Sequence, residues 1–226
     1  MVAGSKKFYE FFVQLILIIV GVLSALAVDN YRESIQEHKT EKEYLISLRN
    51  SVQVDTVVIG TEIQRTYTKV NAISELLALS SVGTTIENEK FGDLVSDIMM
   101  LIRPNFTTAV YEELKFTGNF KLIRNYKLKA LIISYYTDNA IILEQNIRDW
   151  GGYNTEFIDH LTFDELDYKT PFDQKRIFRD LQQHDAIRLE LLRSQKLISI
   201  VRSGLIYTSL PKSIELLEKL QTEIDK

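Results

Sequence analysis

Residues 11–28 read FFVQLILIIVGVLSALAV, and this stretch contains no charged residue. A helix of this length spans roughly 27 Å at 1.5 Å per residue, close to the ~30 Å hydrocarbon core of a bilayer. We therefore predict a transmembrane helix over residues 11–28, preceded by a short N-terminal tail over residues 1–10.

Two kinds of N-terminal segment fit this pattern. Lys6 and Lys7 precede the apolar run, and the small residues of SALA at 24–27 lie at its end, as in a secretory signal peptide. We favour an uncleaved signal anchor, because the apolar run is long for a signal peptide. Lys6 and Lys7 lie on the N-terminal side of the apolar run, and positive charge favours the cytoplasmic side. A long domain after the run can be translocated whatever its charge. We therefore expect the N-terminus inside the cytoplasm and the body outside it.

A heptad pattern, with alternating spacings of three and four, continues beyond the apolar run. It predicts one helix from the membrane segment to about Ser80. The eight polar residues QEHKTEKE at 36–43 interrupt the apolar positions, so we interpret residues 29–43 as a polar stalk. We expect neighbouring copies to meet along a stalk seam formed by Tyr31, Ile35, Leu45, Val52 and Ile59.

The membrane segment also offers a surface for helix association. Gly21 and Ala25 are four residues apart with Ser24 beside them, and small residues let two membrane helices approach closely. Gln14 adds a group able to hydrogen-bond between helices. The alternative is that small residues merely reflect the usual composition of membrane helices and that Gln14 meets headgroups. The residues predicted to mediate association are Gln14, Leu17, Gly21, Ser24, Ala25 and Val28.

The rest of the chain, residues 44–226, has the pattern of a helical bundle. Its apolar residues recur at helical spacing, and the whole chain has only nine glycines and three prolines. The predicted fold class is therefore all-α: an N-terminal transmembrane helix continuing into a long stalk helix, followed by an antiparallel helical bundle. We predict one helix that stops before Pro104 and a second that starts at Thr107 or Thr108 and ends at Gly118-Asn119. A third is expected from Asn125 to at least Trp150, and a fourth starts at Thr170-Pro171. A further helix covers residues 185–209, and Pro211 either kinks it or separates it from the next helix.

Helical spacing also predicts which residues face the core. Leu48, Ile98, Leu131 and Leu217 are expected to point inward. In the last helix we expect Leu217 to share the apolar face with Ile214, Leu220 and Ile224.

The search for chemistry gives mostly negative results. There is no cysteine, and His38, His160 and His184 lack the spacing of metal ligands. No phosphate-binding glycine loop and no nucleophile elbow occurs, so we expect no catalytic, cofactor-binding or metal-binding residue, and no enzyme. The 27 basic and 31 acidic residues are mixed along the chain, which argues against a nucleic-acid partner.

Three stretches carry a resemblance to a known family. They are LIIVGVLSALAVDNYRE at 17–33, EKEYLISLRNSVQVD at 41–55 and YEELKFTGNFKLIRNYKLKALIISYY at 111–136. Together they resemble an uncharacterised family of small bacterial envelope proteins, each with one N-terminal membrane helix and a helical body. The resemblance implies a bacterial inner-membrane setting with an uncleaved anchor. No activity is assigned to such proteins, so no site residue follows from it.

The sequence leaves two functional hypotheses. The first is a membrane-anchored helical scaffold or interaction protein, in contact with membrane lipid, that self-associates or docks on other membrane protein subunits. The alternative is an extracytoplasmic helical ligand-binding sensor domain that signals through a partner. We favour the scaffold and do not expect a small-molecule ligand.

Overall fold

The computed structural model describes residues 3–81, 85–139, 174–183 and 185–226, and these are mostly helical with no strand among them. The all-α prediction is thereby confirmed. The helices are α1 (Ala3–Ser81), α2 (Asn88–Met99), α3 (Ala109–Phe116), α4 (described over residues 126–139), α5 (Gln174–Gln183), α6 (Asp185–Gly204) and α7 (Leu210–Ile224), with a 3₁₀ turn at Asn119–Leu122 and a π-helical turn at Leu205–Ser209.

The first helix is the axis of the molecule. It contains 79 residues without a break, which makes it about 118 Å long at 1.5 Å per residue. Side chains from Gln14 to Lys39 are exposed, and close packing against the rest of the chain begins at Glu41. The prediction of one helix from the apolar run to about Ser80 is confirmed.

Contacts along α1 give the direction of the next helices. Lys90 near the start of α2 pairs with Glu75, and the carbonyl of Met100 just after α2 accepts a hydrogen bond from Lys69. Because later residues of α2 meet earlier residues of α1, the two helices are antiparallel. The α4 helix runs the other way, since Arg124 before it contacts Glu41 while Tyr135 within it contacts Asp55.

The α6 and α7 helices form a second long rod beside α1. Arg188 in α6 donates a hydrogen bond to Ser81, and Arg49 in α1 donates one to Gln221 in α7. The rod formed by α6 and α7 therefore begins beside the C-terminal end of α1 and runs antiparallel to α1. This pairing confirms the predicted antiparallel bundle.

A π-helical turn accommodates Pro211. Proline lacks an N–H group and clashes with the carbonyl four residues before it, so it disrupts a regular helix. In the turn Leu205–Ser209 the hydrogen bonds reach one residue further, and the N–H of Leu210 donates to the carbonyl of Leu205. Of the two predicted outcomes at Pro211, the structure has a continuing helix with a local change of winding.

The core has two parts along α1. The distal core contains residues of α1, α2, α5 and α6 around Ile73, Phe91 and Leu191. The proximal core, nearer the apolar run, contains residues of α1, α3, α4 and α7 around Leu48 and Leu220. Each core buries one side of α1, so α1 stabilises both.

Two of the four predicted core residues are fully buried and two are not. Leu48 and Ile98 have at most 1 % of their surface exposed, whereas Leu131 and Leu217 are half-buried. In α7 the buried apolar residues are Leu216, Leu220 and Ile224, and Ile214 is 45 % exposed, which corrects the predicted face.

The reason for this correction is a pair of small polar residues. Ser209 and Ser213 are buried in line with Leu216, so α7 turns a serine-containing face toward the body. The Ser213 hydroxyl donates to the carbonyl of Leu210 and is therefore satisfied inside its own helix. A prediction from hydrophobic spacing alone places serines on the exposed side of a helix. The predicted buried face of α7 was therefore rotated by part of a turn from the observed one.

The local helix limits agree with the sequence where the structure describes them. The α2 helix ends before Pro104, α3 follows Thr108, and Gly118 has φ 72°, a left-handed conformation suited to glycine. The predicted extension of α4 to Trp150 and the predicted helix start at Thr170-Pro171 lie outside the described residues.

Candidate functional site

The N-terminal part of α1 exposes an apolar surface on every side. Leu17 is 65 % exposed, Ile18 64 % and Val28 60 %. Among the described residues, α1 is the one helix long and apolar enough to cross a membrane. In water this surface would be unfavourable, at about 25 cal/mol for each Å² of apolar area.

The six residues predicted to mediate membrane-helix association lie on one side of this helix. With successive residues about 100° apart around the axis, Gln14, Leu17, Ala25 and Val28 fall within about 40° of Gly21. Ser24 falls at about 60°. A Cβ placed on Gly21 would meet no atom within 4 Å, so this side is open to a neighbour.

The body packs on the opposite side of α1. Buried residues such as Leu48, Asp55 and Thr66 lie about 160–180° around the axis from Gly21. Residues within about 40° of the Gly21 direction are exposed as far as Gln64, except Ile46, which is half-buried against the proximal core. We call this exposed side of α1, which runs from Gly21 through Ile35 and Val57 to Gln64, the free face.

The predicted stalk seam does not stay on the free face. Tyr31 and Ile35 are 69 % and 54 % exposed, but Leu45, Val52 and Ile59 are at most 2 % exposed and belong to the chain's own core. A strict heptad repeat drifts by about 20° per heptad around a straight α-helix, so the seam rotates toward the body. Three of the five seam residues are therefore inaccessible to a second copy.

A line of buried ionisable residues on α1 was missed at the level of sequence. Glu41, Asp55, Glu62 and Lys69 each have no more than 5 % of their surface exposed. Ionised side chains are rarely buried unless hydrogen bonds or opposite charges compensate them. The signal was the spacing of seven between Asp55, Glu62 and Lys69, in phase with buried Leu48.

Three of these side chains hold irregular backbone against α1. The Glu41 carboxylate accepts the N–H of Arg124 at 2.7 Å, and the Asp55 carboxylate accepts the N–H of Thr107 at 2.7 Å. The Lys69 ammonium donates to the carbonyl of Met100 at 2.5 Å. Backbone groups outside helices need such partners when they are buried. These charges thus fix the segments that precede α3 and α4 and follow α2.

Asp55 sits among aromatic rings in the proximal core. The Tyr135 hydroxyl donates to its second oxygen at 3.2 Å, and the Tyr135 ring contacts Phe106 and Tyr136 edge to face. Burial raises the pKa of Asp55 above its usual value, although the hydrogen bonds from Thr107 and Tyr135 oppose the rise. Burial likewise raises the pKa of both tyrosines. With 0 % exposure, Asp55 serves structure, since a substrate has no access to it.

Lys69 is the corresponding buried base of the distal core. Burial lowers the pKa of Lys69 to about 7, because a charged ammonium loses its hydration inside the protein. Its neighbours one turn and two turns earlier on α1 are Thr66 and Glu62, which are also buried. Glu62 accepts a hydrogen bond from Arg65 at 2.7 Å, at the edge of the core.

A groove with a partly apolar wall lies between α4 and α7. It has a volume of about 610 Å³. Leu128 and Leu131 supply apolar wall, while Lys127, Lys219 and Glu215 are among the charged groups around it. The half-buried Leu131, predicted as core, therefore lies at the surface of this groove.

No three histidine, cysteine, aspartate or glutamate side chains within residues 3–81, 85–139, 174–183 and 185–226 are placed to hold a metal ion. Residues 156–167, five of which are aspartate or glutamate, lie outside these ranges, as do His160 and His184. Comparisons with protein-family models, with curated protein sequences and with solved structures found no match.

Proposed function

We propose that this chain is a membrane-anchored helical scaffold or interaction protein of the bacterial envelope. Residues 11–28 of α1 are its anchor, and the helical body built around residues 41–81 is the part it presents. The partners are membrane lipid together with further copies of the chain or other membrane protein subunits. One observation carries this proposal: a single unbroken helix has exposed apolar residues on every side at one end and a packed body at the other.

The continuity of α1 supports a scaffold rather than a loosely tethered domain. From Val28 to Glu41 the helix continues without interruption, a distance of about 20 Å. Arg124 of the body also reaches back to this segment, with its guanidinium 3.4 Å from the carbonyl of Ser34 and 3.7 Å from Glu37. The body is therefore held at a fixed height above the end of the apolar run.

The proposed orientation has the N-terminus in the cytoplasm and the body in the periplasm, with the anchor in the inner membrane. Its support is the pair Lys6 and Lys7 on the short flank of the apolar run, since positive charge favours the cytoplasmic side. Protease added to intact cells and to spheroplasts tests the orientation. Degradation in spheroplasts alone is the expected result, and protection in both would contradict a periplasmic body.

Extraction of membranes at alkaline pH tests the anchor itself. We expect the full chain to stay in the membrane pellet and a variant lacking residues 11–28 to become soluble. The circular-dichroism melting temperature of the soluble variant should match that of the detergent-solubilised full chain, because the side chains of residues 14–28 are exposed and lie outside the packed body. Full-length protein in the alkaline supernatant would refute the proposal.

The groove between α4 and α7 favours a second candidate function, that of a ligand-binding sensor domain signalling through a partner. Its volume of about 610 Å³ lies within the range of small-molecule sites, and its wall combines leucines with lysines. A thermal-shift screen on the detergent-solubilised chain tests it. A true ligand would raise the melting temperature, and Lys219→Ala would weaken this rise while Lys196→Ala, on α6, would not. Equal loss in both variants would count against the groove.

A further inference from the structure

The exposed side of α1 within the body carries no charge over a long stretch. Between Ser47 and Gln64, every exposed residue is either valine or uncharged and polar, although charged residues make up 26 % of the chain. Val54 and Val57 are 54 % and 67 % exposed. These exposed residues are Ser47, Asn50, Gln53, Val54, Val57, Thr61 and Gln64.

Other helices of the body lack this property. The exposed side of α6 includes Arg193 and Lys196, and that of α7 includes Glu215, Glu218 and Lys219. Depletion of charge is a feature that distinguishes the centre of a protein interface from ordinary surface. The charge-free stretch of α1 therefore shares one property with the centre of an interface, its lack of charge.

This stretch lies in the same direction as the association residues of the membrane segment. Val57 is thirty-six residues after Gly21, which corresponds to about ten full turns of an α-helix. Ile35, between them, lies within about 40° of the same direction. Because the body packs on the opposite side of α1, it does not obstruct an approach along the free face.

From this geometry we infer that the free face is the contact surface for a second copy of this chain, with the two α1 helices parallel. The inference rests on the proposed membrane anchor and names the partner that such a scaffold binds. Copies inserted in one bilayer in the same orientation have equivalent residues at the same height. Across a two-fold axis each exposed residue then faces its own counterpart or a residue one turn away.

Such self-facing requires a particular pattern of charge. A charged residue near the axis would meet a like charge in the other copy, and this repulsion is unfavourable. The charge-free stretch avoids it. Nearer the membrane, the free face carries Lys39 and Glu43, whose opposite charges lie 4.0 Å apart within one chain. In a parallel pair, Lys39 would face its counterpart near the axis, and Glu43 of each copy, one turn away, would offset that repulsion.

The available area is sufficient for a stable pair. From Gly21 to Gln64 the free face is about 65 Å long, and a helix presents a strip about 10 Å wide. Each copy thus offers on the order of 650 Å², which brings the pair to the lower end of specific interfaces at about 1,200 Å².

Cysteine cross-linking in native membranes tests the inference without background, because the chain has no cysteine. Val57→Cys places a thiol on the free face, and Ile200→Cys, at 50 % exposure on α6, is the matched control on another side of the body. On mild oxidation we expect Val57→Cys to form a disulfide-linked dimer and Ile200→Cys to stay monomeric. No dimer with Val57→Cys, or equal dimer with both, would overturn the inference.

A charge at the same position gives a second test. Val57→Glu should abolish cross-linking through Ile35→Cys, because two carboxylates would face each other, whereas Ile200→Glu should leave it unchanged. Persistence of the Ile35→Cys dimer in Val57→Glu would contradict the inference. Sedimentation of the same membranes separates this outcome from failure of the anchor: protein that pellets but does not cross-link is anchored and does not pair through the free face.

Discussion

The helix α1 has two parts with the same secondary structure and different surroundings. The first part is residues 14–39, whose side chains are exposed, and the second is residues 41–81, which pack against the body. Leu17 in the first part is 65 % exposed, while Leu48 in the second part is fully buried. The first part exposes residues on all sides, and the second buries one side against the body and leaves the other free. Side-chain packing stabilises the second part, whereas the first part has no such packing and, as a membrane anchor, would take its stability from a non-aqueous environment.

The contrast extends to polar groups. In the second part, buried Glu41, Asp55 and Lys69 bind main-chain groups of the segments between helices. In the first part, Gln14 to Val28 include no charged residue. Three of the buried charges on α1 thus lie where irregular backbone needs partners, and charge is absent where apolar residues cover the whole circumference.

Matched leucine substitutions give the largest expected effect. Leu48→Asp should destabilise the body by about 3–5 kcal/mol, because it buries an unpaired carboxylate and removes core packing. Leu17→Asp should leave the melting temperature of the body unchanged and weaken retention in the membrane. Chemical denaturation in detergent and alkaline extraction measure the two quantities. A similar loss of stability in both variants would contradict the difference between the two parts.

Removal of the Asp55 carboxylate should have the next largest effect. Asp55→Ala leaves the buried N–H of Thr107 and the Tyr135 hydroxyl without their acceptor, which costs about 2–3 kcal/mol. Asp55→Asn keeps one acceptor oxygen and should cost less. The exposed Asp93 on α2 is the control, and Asp93→Ala should change the free energy of unfolding by less than about 0.5 kcal/mol. Equal effects of Asp55→Ala and Asp93→Ala would contradict a stabilising role for the hydrogen bonds that the Asp55 carboxylate accepts.

The buried Lys69 should make stability depend on pH. Burial lowers its pKa from 10.5 to about 7, so between these values the unfolded state binds more protons than the folded state. The free energy of unfolding should therefore rise as the pH increases from 7 to 10.5, by up to about 1.4 kcal/mol per pH unit. Stability is correspondingly lower near pH 7 than near pH 9. Lys69→Met should lack this slope. Denaturation of both proteins at pH 7, 8 and 9 measures it, and parallel curves would contradict a lowered pKa.

Glycine substitutions give the smallest expected effect. Gly60 lies inside the second part of α1, and a Cβ there would meet nothing within 4 Å, so Gly60→Ala should stabilise the body by about 0.5–1 kcal/mol. Gly118 has φ 72°, and Gly118→Ala should destabilise by about 1 kcal/mol. Thermal melts of the two variants should therefore shift in opposite directions. A lower melting temperature for Gly60→Ala would mean that this part of α1 is not a regular helix.

Features that depend on local sequence were predicted well. The length of α1, the stop before Pro104 and the turn at Gly118 follow from apolar spacing and backbone preference. The start of α3 lies where it was predicted, although the Thr108 side chain makes no capping hydrogen bond. Such signals act over a few residues, so the sequence contains them directly.

Features that depend on distant contacts were not predictable in the same way. The seam at Val52 was assigned to a second copy because the sequence does not show which helix covers it. The burial of Asp55 requires Thr107 and Tyr135, which are far away in the chain. The buried face of α7 was misplaced because Ser213 is accommodated by a hydrogen bond to its own helix.

The most direct test of the central claim is a spin-label scan of α1, from Gln14 to Gln64, in reconstituted bilayers. We predict that labels at 14–28 are accessible to oxygen and shielded from a water-soluble nickel chelate. Labels at 29–39 should be accessible to the chelate where they lie off the free face, and at 41–64 the labels that face the body should be shielded with a period of 3.6 residues. Accessibility of residues 14–28 to the chelate, or loss of helical periodicity beyond Glu41, would contradict the account.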